Sequence, residues 1–216
     1  MKHGVPGAAR PAVALSLLLA ALPATARAGA WLEAGPLAGG LGLDSDLAAY
    51  RWDTRPAPLW GGRVLAGRGR LALGVDGWRS RTTQGTGLPE SSVAPRVSLE
   101  TVAVVGLARV ASPLGCELWL GGQAGRLHVG WEPDHLVVEA AGDPVTVTYA
   151  GVDTWCAGPA AELRRQLAPS LQALAQAGWS SWSLDTAHRA GGDIVYGQER
   201  FAQWTARLQL AWRWQL

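Results

Sequence analysis

Residues able to carry out chemistry are scarce in this sequence. Its 216 residues include two cysteines, Cys116 and Cys156, and His128, His135 and His188 are the histidines beyond the first few residues. No two of these histidines have the i, i+4 spacing of metal ligands, and the sequence has no Cys-x-x-Cys motif. We therefore expect no metal site and no cofactor.

The serines near His188 are the best candidates for a nucleophile. Ser180, Ser181 and Ser183 precede Asp185 and His188, so a hydroxyl, a carboxylate and an imidazole occur close together in sequence. A catalytic triad is defined by its geometry in space, however, and serines beside a loop histidine are common. No glycine-rich phosphate-binding motif opens a helix. We therefore expect no catalytic residues and no enzymatic activity.

The N-terminal segment has the pattern of a secretory signal peptide. Lys2 and Arg10 give it a positive start, residues 12–23 are mostly apolar, and Ala26-Arg27-Ala28 fits the small-x-small cleavage pattern. A membrane-spanning helix needs about 20 apolar residues, so this stretch is too short for an anchor. We expect residues 1–28 to be removed and one domain to cover residues 29–216.

The mature chain has almost no net charge. The 19 basic residues fall to 16 when Lys2, Arg10 and Arg27 are removed, and these 16 face 17 acidic residues. Nucleic-acid-binding domains usually carry a basic surface, so nucleic acid is not an expected partner. General disorder is excluded as well, because 48% of the residues are hydrophobic.

The C-terminal segment shows the clearest β-strand pattern. Apolar residues occupy every even position, namely Ala202, Trp204, Ala206, Leu208, Leu210, Trp212, Trp214 and Leu216, and mostly polar residues lie between them. This alternation predicts a strand with one apolar and one polar face. At about 3.3 Å per residue the strand is roughly 50 Å long. A membrane-spanning strand needs only about 9–11 residues, so this one suits a bilayer plus a short extension.

Seven earlier segments alternate in a similar way, which predicts eight strands in all. Their expected bounds, with the last strand, are 31–43, 59–67, 70–79, 96–110, 116–131, 146–166, 171–182 and 201–216. The expected connections 44–58, 80–95, 132–145 and 183–200 are long, and the other three are short. This order predicts an antiparallel up-and-down sheet. A helix is the alternative for residues 160–177, which are rich in Ala, Leu and Gln.

Three strands lose their regular alternation. In strand 116–131, Leu118 and Leu120 lie at even positions, whereas Leu127 and Val129 lie at odd positions. Strand 31–43 changes phase near Gly39-Gly40. Glycines at both places suggest β-bulges. The sixth strand contains segments of both phases, so its facing stays open.

The pairing of the fifth and sixth strands also bears on the cysteines. It places Cys116 near a short turn and Cys156 part-way along the barrel, opposite about residue 126. A disulfide needs Cα atoms within about 7 Å, so we expect two free thiols.

Tryptophans cluster near the predicted strand ends. Trp suits a membrane interface because it combines an apolar ring with one N–H donor. We expect two aromatic girdles that contain Trp31, Trp60, Trp78, Trp119, Trp131, Trp179, Trp204, Trp212 and Trp214.

The signal peptide, the eight amphipathic strands, the alternating loop lengths and the terminal strand together resemble small eight-stranded outer-membrane β-barrels of the OmpA and OmpX type. The resemblance covers residues 29–216 and implies a transmembrane barrel in the bacterial outer membrane, in contact with its lipid. It also implies recognition by the barrel assembly machinery, which reads an aromatic residue at the end of the final strand. Here Trp212 and Trp214 precede a terminal Leu216. No extracellular partner can be named.

A barrel of this size has an interior that side chains can fill. With the apolar faces turned to lipid, the charged side chains expected inside are Arg63, Asp76, Glu100, Arg126 and Arg207. Unpaired charges inside would be costly, so we expect an ion-pair network and a plugged lumen.

These expectations favour a non-enzymatic outer-membrane barrel with a structural or surface-interaction role. One alternative is a soluble periplasmic barrel that binds a small apolar ligand, as lipocalins do. Another is an enzyme that modifies outer-membrane lipid. Lipid A deacylase barrels carry a His-x-Ser-Asn motif, and the nearest segment here, His188-Arg189-Ala190-Gly191, lacks both the Ser and the Asn.

Overall fold

The computed structural model describes residues 29–43, 51–52, 56–85, 96–140, 143–148, 150–190 and 193–216. The expected signal peptide, residues 1–28, lies outside the described residues and stays a prediction. Within the described part, no helix is long and apolar enough to cross a membrane.

Eight long antiparallel strands form one closed sheet. They are β1 (Ala30–Leu43), β3 (Ala57–Arg68), β4 (Leu71–Gly85), β5 (Arg96–Ala111), β6 (Cys116–Glu132), β9 (Val152–Ala168), β10 (Leu171–Ala190) and β11 (Asp193–Gln215). Each strand pairs with its neighbours in chain order, and β1 also pairs with β11. The short strand β2 (Arg51–Trp52) pairs with β4, and β7 (His135–Ala140) pairs with β8 (Asp143–Thr148). The predicted eight-stranded up-and-down barrel is therefore confirmed.

Closure of the barrel joins the first strand to the last. The pairing of β1 with β11 runs from Trp31 opposite Gln215 to Leu43 opposite Gln203. Beyond it, the Leu216 backbone N–H donates to the Ala30 carbonyl at 2.9 Å. The sheet therefore has no free edge along its height, as a spanning sheet requires in lipid.

The two ends of the barrel carry different connections. At the end that we call the turn end, residues 69–70, 112–115 and 169–170 make the short turns that the sequence predicts. Gly69 has φ +59°, a left-handed conformation that favours glycine. At the opposite end, the loop end, the strands extend further than predicted. β10 reaches Ala190 and β11 begins at Asp193, so the expected loop 183–200 is largely strand.

The predicted sixth strand, 146–166, is wrong at its start. Residues 143–148 belong to the β7–β8 hairpin, and the barrel strand β9 begins at Val152. The conflicting phases came from two separate elements that the sequence pattern had merged. The helical alternative for 160–177 is wrong as well, because these residues form β9, a turn and β10.

The predicted bulges in β6 and β1 are also wrong. The pairing of β6 with β9 runs without a shift from Cys116 to Val129, and its pairing with β5 shifts only between Arg109 and Ala111 on β5, near the turn end. Both pairings of β1 keep one register past Gly39-Gly40. In β6, Leu120 faces outward near the turn end, whereas Leu127 and Val129 are fully buried inside the loop-end half. The apolar residues change sides because the polarity of the barrel inverts along its height, while the pleat continues unbroken.

One inward-facing glycine shows how tightly adjacent strands approach. A Cβ at Gly125 would collide with the carbonyl oxygen of Val102 and with Ala103 on β5. Gly122 on the same strand faces outward, and its Cβ would meet the Gly158 carbonyl oxygen only at 3.4 Å, an ordinary contact.

We expect Gly125→Val to prevent most of the protein from reaching its SDS-resistant folded form, because the added side chain cannot fit between β5 and β6. Gly122→Val is the matched control and should fold normally. The measurement is the mobility of unheated and heated samples on an SDS gel. Equal folded fractions for the two variants would contradict the described inward and outward assignment.

Candidate functional site

The interior of the barrel consists of three layers. Nearest the turn end lies the lower cluster, which is apolar and comprises Trp31, Leu65, Ala72, Val105, Leu107 and Trp119. A layer of charged and amide side chains follows. Nearest the loop end lies the upper cluster, which is also apolar and comprises Leu37, Leu41, Leu43, Leu59, Trp78, Val97, Leu99, Leu127, Val129, Cys156, Trp182, Leu184 and Phe201.

The lower cluster joins tryptophans to arginines. The rings of Trp31 and Trp119 meet edge to face with their centroids 6.1 Å apart. The Arg164 guanidinium lies 4.3 Å from the Trp119 ring centroid, and that of Arg213 lies 4.1 Å from the Trp31 centroid. Such cation–π contacts are strongest when the cation is desolvated. Here they connect the lower cluster directly to the charged layer above it.

The main charge network is a chain of five buried or nearly buried side chains. Glu162 is the acceptor for both Arg63 and Arg164. Arg164 continues to Glu33 at 3.3 Å, and Glu33 in turn accepts a hydrogen bond from Arg213 at 3.0 Å. Each carboxylate therefore has two arginine partners, the arrangement that makes charge burial tolerable.

A second buried ion pair joins Arg207 to Asp76. Amide side chains extend this layer: Gln176 donates to Gln209 at 2.7 Å, and Gln203 donates to the Ser180 hydroxyl oxygen at 2.9 Å. The structure therefore places Arg63, Asp76 and Arg207 inside the barrel, where the sequence puts them.

These pairs connect strands that are not neighbours in the sheet. Arg63 on β3 and Glu162 on β9 are four strands apart in either direction around the barrel, and Asp76 on β4 and Arg207 on β11 are three apart. The ion pairs therefore cross the lumen. Sequence reasoning missed Glu33, Glu162, Arg164 and Arg213. Arg213 could have been found, because it lies between the apolar residues of the last strand, on the polar face of that strand. Glu162 and Arg164 were missed because the predicted sixth strand joined β8 to β9 and left its facing open.

Glu100 and Arg126 do not belong to the interior, so their assignment to the lumen network is wrong. Both face outward in the loop-end half, where Val97, Leu99 and Leu127 take the inward positions. Asp153 faces outward too. Its carboxylate oxygens lie 3.0 Å from His128 Nδ1 and 3.7 Å from the Arg126 guanidinium. The sequence pattern separates the two faces of a strand but does not say which face is inside.

An outward row of polar residues marks the level where the polarity inverts. In the sheet register, Arg79 lies opposite Glu100, Glu100 opposite His128, and His128 opposite Asp153. Arg79 also stacks on the Trp60 ring, 3.5 Å from its centroid. Outward residues below this row are mainly apolar, including Leu73, Val75, Val102 and Val104.

The tryptophans divide into an outward set and an inward set. Trp60, Trp179 and Trp204 are exposed near the level of the polar row, and Trp212 and Trp214 are exposed near the turn end. Trp155 joins the outward set at 71% exposure, although the sequence pattern did not assign it to a girdle.

The girdle assignment is wrong for four tryptophans, because they face the interior. Trp31, Trp78 and Trp119 are buried in the two apolar clusters, and Trp131 packs against the upper cluster. Position near a strand end does not distinguish an outward-facing tryptophan from one that packs inside the barrel.

The chemistry-bearing residues are scattered. Cys116 and Cys156 are free; Cys116 lies opposite Arg165 on β9 and Cys156 opposite Gly125 on β6. Ser180 and His188 lie on the single extended strand β10, about 26 Å apart at roughly 3.3 Å per residue. Ser183, the nearest of the three serines in sequence, is five residues from His188 on the same strand, or roughly 16 Å along it. No cluster of three or more His, Cys, Asp or Glu residues suited to a metal ion occurs in the part of the chain that the structure describes.

No protein-family model and no curated protein matches this sequence. Among solved structures, the chain is similar to the outer membrane protein AlkL, determined in lipid bilayers, with a TM-score of 0.53 and 14% identity over 87% of this chain and 91% of AlkL. It is also similar to the outer membrane protein OprG from Pseudomonas aeruginosa, with a TM-score of 0.50 and 7% identity over 87% of this chain and 97% of OprG. At such identities the likeness shows the fold alone, which is that of a small outer-membrane barrel.

We expect Arg207→Met to lower the free energy of unfolding by about 3–5 kcal/mol, because Asp76 would then be buried without its partner. The double variant Asp76→Asn/Arg207→Met should recover most of this loss. The measurement is urea-induced unfolding from lipid vesicles, followed by tryptophan fluorescence.

The matched control for this experiment is Arg126→Met, which breaks an ion pair whose side chains are more than half exposed. Its cost should stay below about 1 kcal/mol. Equal losses for Arg207→Met and Arg126→Met would show that the two arginines do not differ in environment.

Proposed function

We propose that this protein is a non-enzymatic barrel of the bacterial outer membrane with a sealed lumen, which holds a β-structured head above the membrane in a structural or surface-interaction role. The observation that carries this proposal is the inversion of polarity along the barrel. Near the turn end the outside is apolar and much of the inside is charged. Near the loop end the inside is apolar and the outside is polar.

The outward apolar residues below the polar row, which include Leu73, Val75, Val102 and Val104, form an apolar outer belt. The height of this belt fits a bilayer. On β11, Trp204 and Trp214 face outward ten residues apart. At about 3.3 Å per residue and a tilt near 40°, this separation corresponds to roughly 25 Å along the barrel axis. That is the height of the apolar band between the aromatic girdles of outer-membrane barrels. Both levels therefore suit the two interfaces of the outer membrane.

The alternative of a soluble lipocalin-like barrel is disfavoured by the same belt. Leu208 is 69% exposed, Leu71 is 66% exposed and Val102 is 63% exposed, all on the outer face. In water these side chains would form a large continuous apolar surface of the kind that marks a membrane or protein contact. Lipid is thus the environment that fits the outer face, and outer-membrane lipid is a proposed partner.

The head consists of the loop-end half of the barrel and the β7–β8 hairpin. Its outward side chains include Arg81, Ser98 and His128, and its interior is the upper cluster. This is the organisation of a water-soluble β-protein. The head therefore suits a position outside the bilayer, with the turn end in the periplasm, where the barrel assembly machinery is a further proposed partner for the final strand.

We infer that no continuous path for water crosses the interior of the barrel. The cross-lumen pairs fill the middle of the barrel, and the two apolar clusters close the regions above and below them. A sealed barrel supports a structural or surface role better than passive diffusion.

We expect the reconstituted protein to show no steady single-channel conductance in a planar lipid bilayer, because charged and apolar side chains fill the lumen. A larger porin inserted in the same bilayer provides the positive control. Regular current steps that depend on the amount of added protein would overturn the sealed-lumen part of the proposal.

We expect opposite labelling behaviour from single cysteines at the two ends of the barrel. In a Cys116→Ala/Cys156→Ala background, Val137→Cys in the hairpin should react on intact cells with a bulky maleimide that cannot cross the outer membrane. Arg70→Cys in a short turn should react only after the outer membrane is permeabilised. The reverse pattern would overturn the proposed orientation, and labelling of both in the soluble periplasmic fraction would favour the lipocalin-like alternative.

A further inference from the structure

An apolar groove of about 710 Å³ runs across the outer surface near the turn end. Outward-facing small residues form its floor, including Ala66, Gly106 and Ala108, and leucines such as Leu71, Leu73 and Leu120 rise beside them. The groove crosses β1, β3, β4, β5 and β6, so it is a feature of the assembled wall. Its volume lies within the range of small-molecule binding sites.

Among the described residues that line the groove, Arg68 is the one with a charged side chain. It lies at the last position of β3, where the chain enters the short turn, and its side chain is exposed. Arg70 follows two residues later and is exposed as well. The Arg70 backbone carbonyl accepts a hydrogen bond from the Arg109 N–H at 2.7 Å, which fixes this turn beside the end of β5.

The acidic residues near this end are already engaged. Glu117 pairs with Arg109 at 2.5 Å, and Glu33 and Glu162 are buried in the charge network. Within the described residues, neither Arg68 nor Arg70 takes part in an ion pair. A positive charge is thus held next to an apolar groove at the level where lipid headgroups begin. Basic side chains in this position attract anionic lipid headgroups.

We propose that the groove binds one anionic diacyl phospholipid of the inner leaflet, with its acyl chains along the small-residue floor and its phosphate at Arg68. This site depends on the membrane orientation of the proposed function, and it adds a defined ligand class to it. The chemistry commits to a phosphate diester with hydrocarbon chains. The apolar lining suits the chains, and the unpaired arginine suits the phosphate.

The test uses the folded full-length barrel in a neutral detergent, with native mass spectrometry as the readout. Phosphatidylglycerol and phosphatidylcholine of identical acyl chains serve as probes. We expect the protein to retain one phosphatidylglycerol in preference to phosphatidylcholine. Arg68→Gln should weaken phosphatidylglycerol binding about fivefold and phosphatidylcholine binding by less, because the choline cation offsets the charge of its phosphate, so that the preference for phosphatidylglycerol falls. Ala108→Phe should fill the groove floor and abolish retention of both lipids.

Two matched variants separate this site from general effects. Arg165→Gln removes another exposed arginine at the turn end, one that does not line the groove, and should keep the phosphatidylglycerol preference. Ala175→Phe adds the same ring to the outer face of β10 and should keep lipid retention. The SDS gel shift on heating confirms that each variant is folded.

Three outcomes would overturn the inference. The first is equal loss of preference in Arg68→Gln and Arg165→Gln, which would indicate a general charge effect. The second is unchanged retention in Ala108→Phe. The third is a lipid-free dimer that Ala108→Phe dissociates, which would show that a second copy of the chain covers the groove. None of these results bears on the membrane topology, which the cysteine labelling tests separately.

Discussion

The absence of hydrogen-bond partners in lipid is the constraint on which this architecture depends. Every backbone amide in the membrane must pair within the protein, so the sheet has to close. The pairing of β1 with β11 achieves that closure. An eight-stranded closed sheet encloses a narrow interior in which a charged side chain has little water to solvate it. Charges that face inward must therefore find one another, and Arg63 reaches across the lumen from β3 to Glu162 on β9.

The same wall serves two environments, and the side-chain pattern follows the environment. Where lipid lies outside, apolar residues face outward and polar residues face inward. Where water lies outside, the assignment reverses, as in a soluble protein. The change occurs at the outward row that contains Arg79, Glu100, His128 and Asp153, next to the outward Trp60. The backbone register passes through this level without interruption in β6.

This inversion explains which parts of the structure the sequence could predict. Alternation alone was sufficient for the strand count, the short turns and closure as a barrel. Alternation also predicted that the side chains of Arg63, Asp76 and Arg207 face inward. It succeeded there because these residues lie in the membrane half, where apolar residues face lipid. The same rule failed for Glu100 and Arg126, because Glu100 belongs to the outward polar row at the inversion and Arg126 faces outward beside that row, opposite Val102. It failed for Trp31 and Trp119 because these large rings pack inside the barrel at the turn end, where a strand-end position is no guide to facing.

The role of the buried charges goes beyond their net contribution to the free energy of unfolding. Replacing a buried ion pair by apolar residues is often neutral or stabilising, so the network is not required for stability as such. If the membrane half had an apolar interior, however, both faces of each strand would suit lipid, and a slip of one residue would cost little. Arg63, Glu162 and Asp76 make one face of β3, β9 and β4 unacceptable to lipid, and we infer that they favour one facing of these strands. The outward row does the same for depth: moving Arg79 toward the centre of the bilayer would cost about 2–4 kcal/mol. The lumen charges therefore favour one facing of the strands that carry them, and the polar row favours one height of the barrel in the membrane.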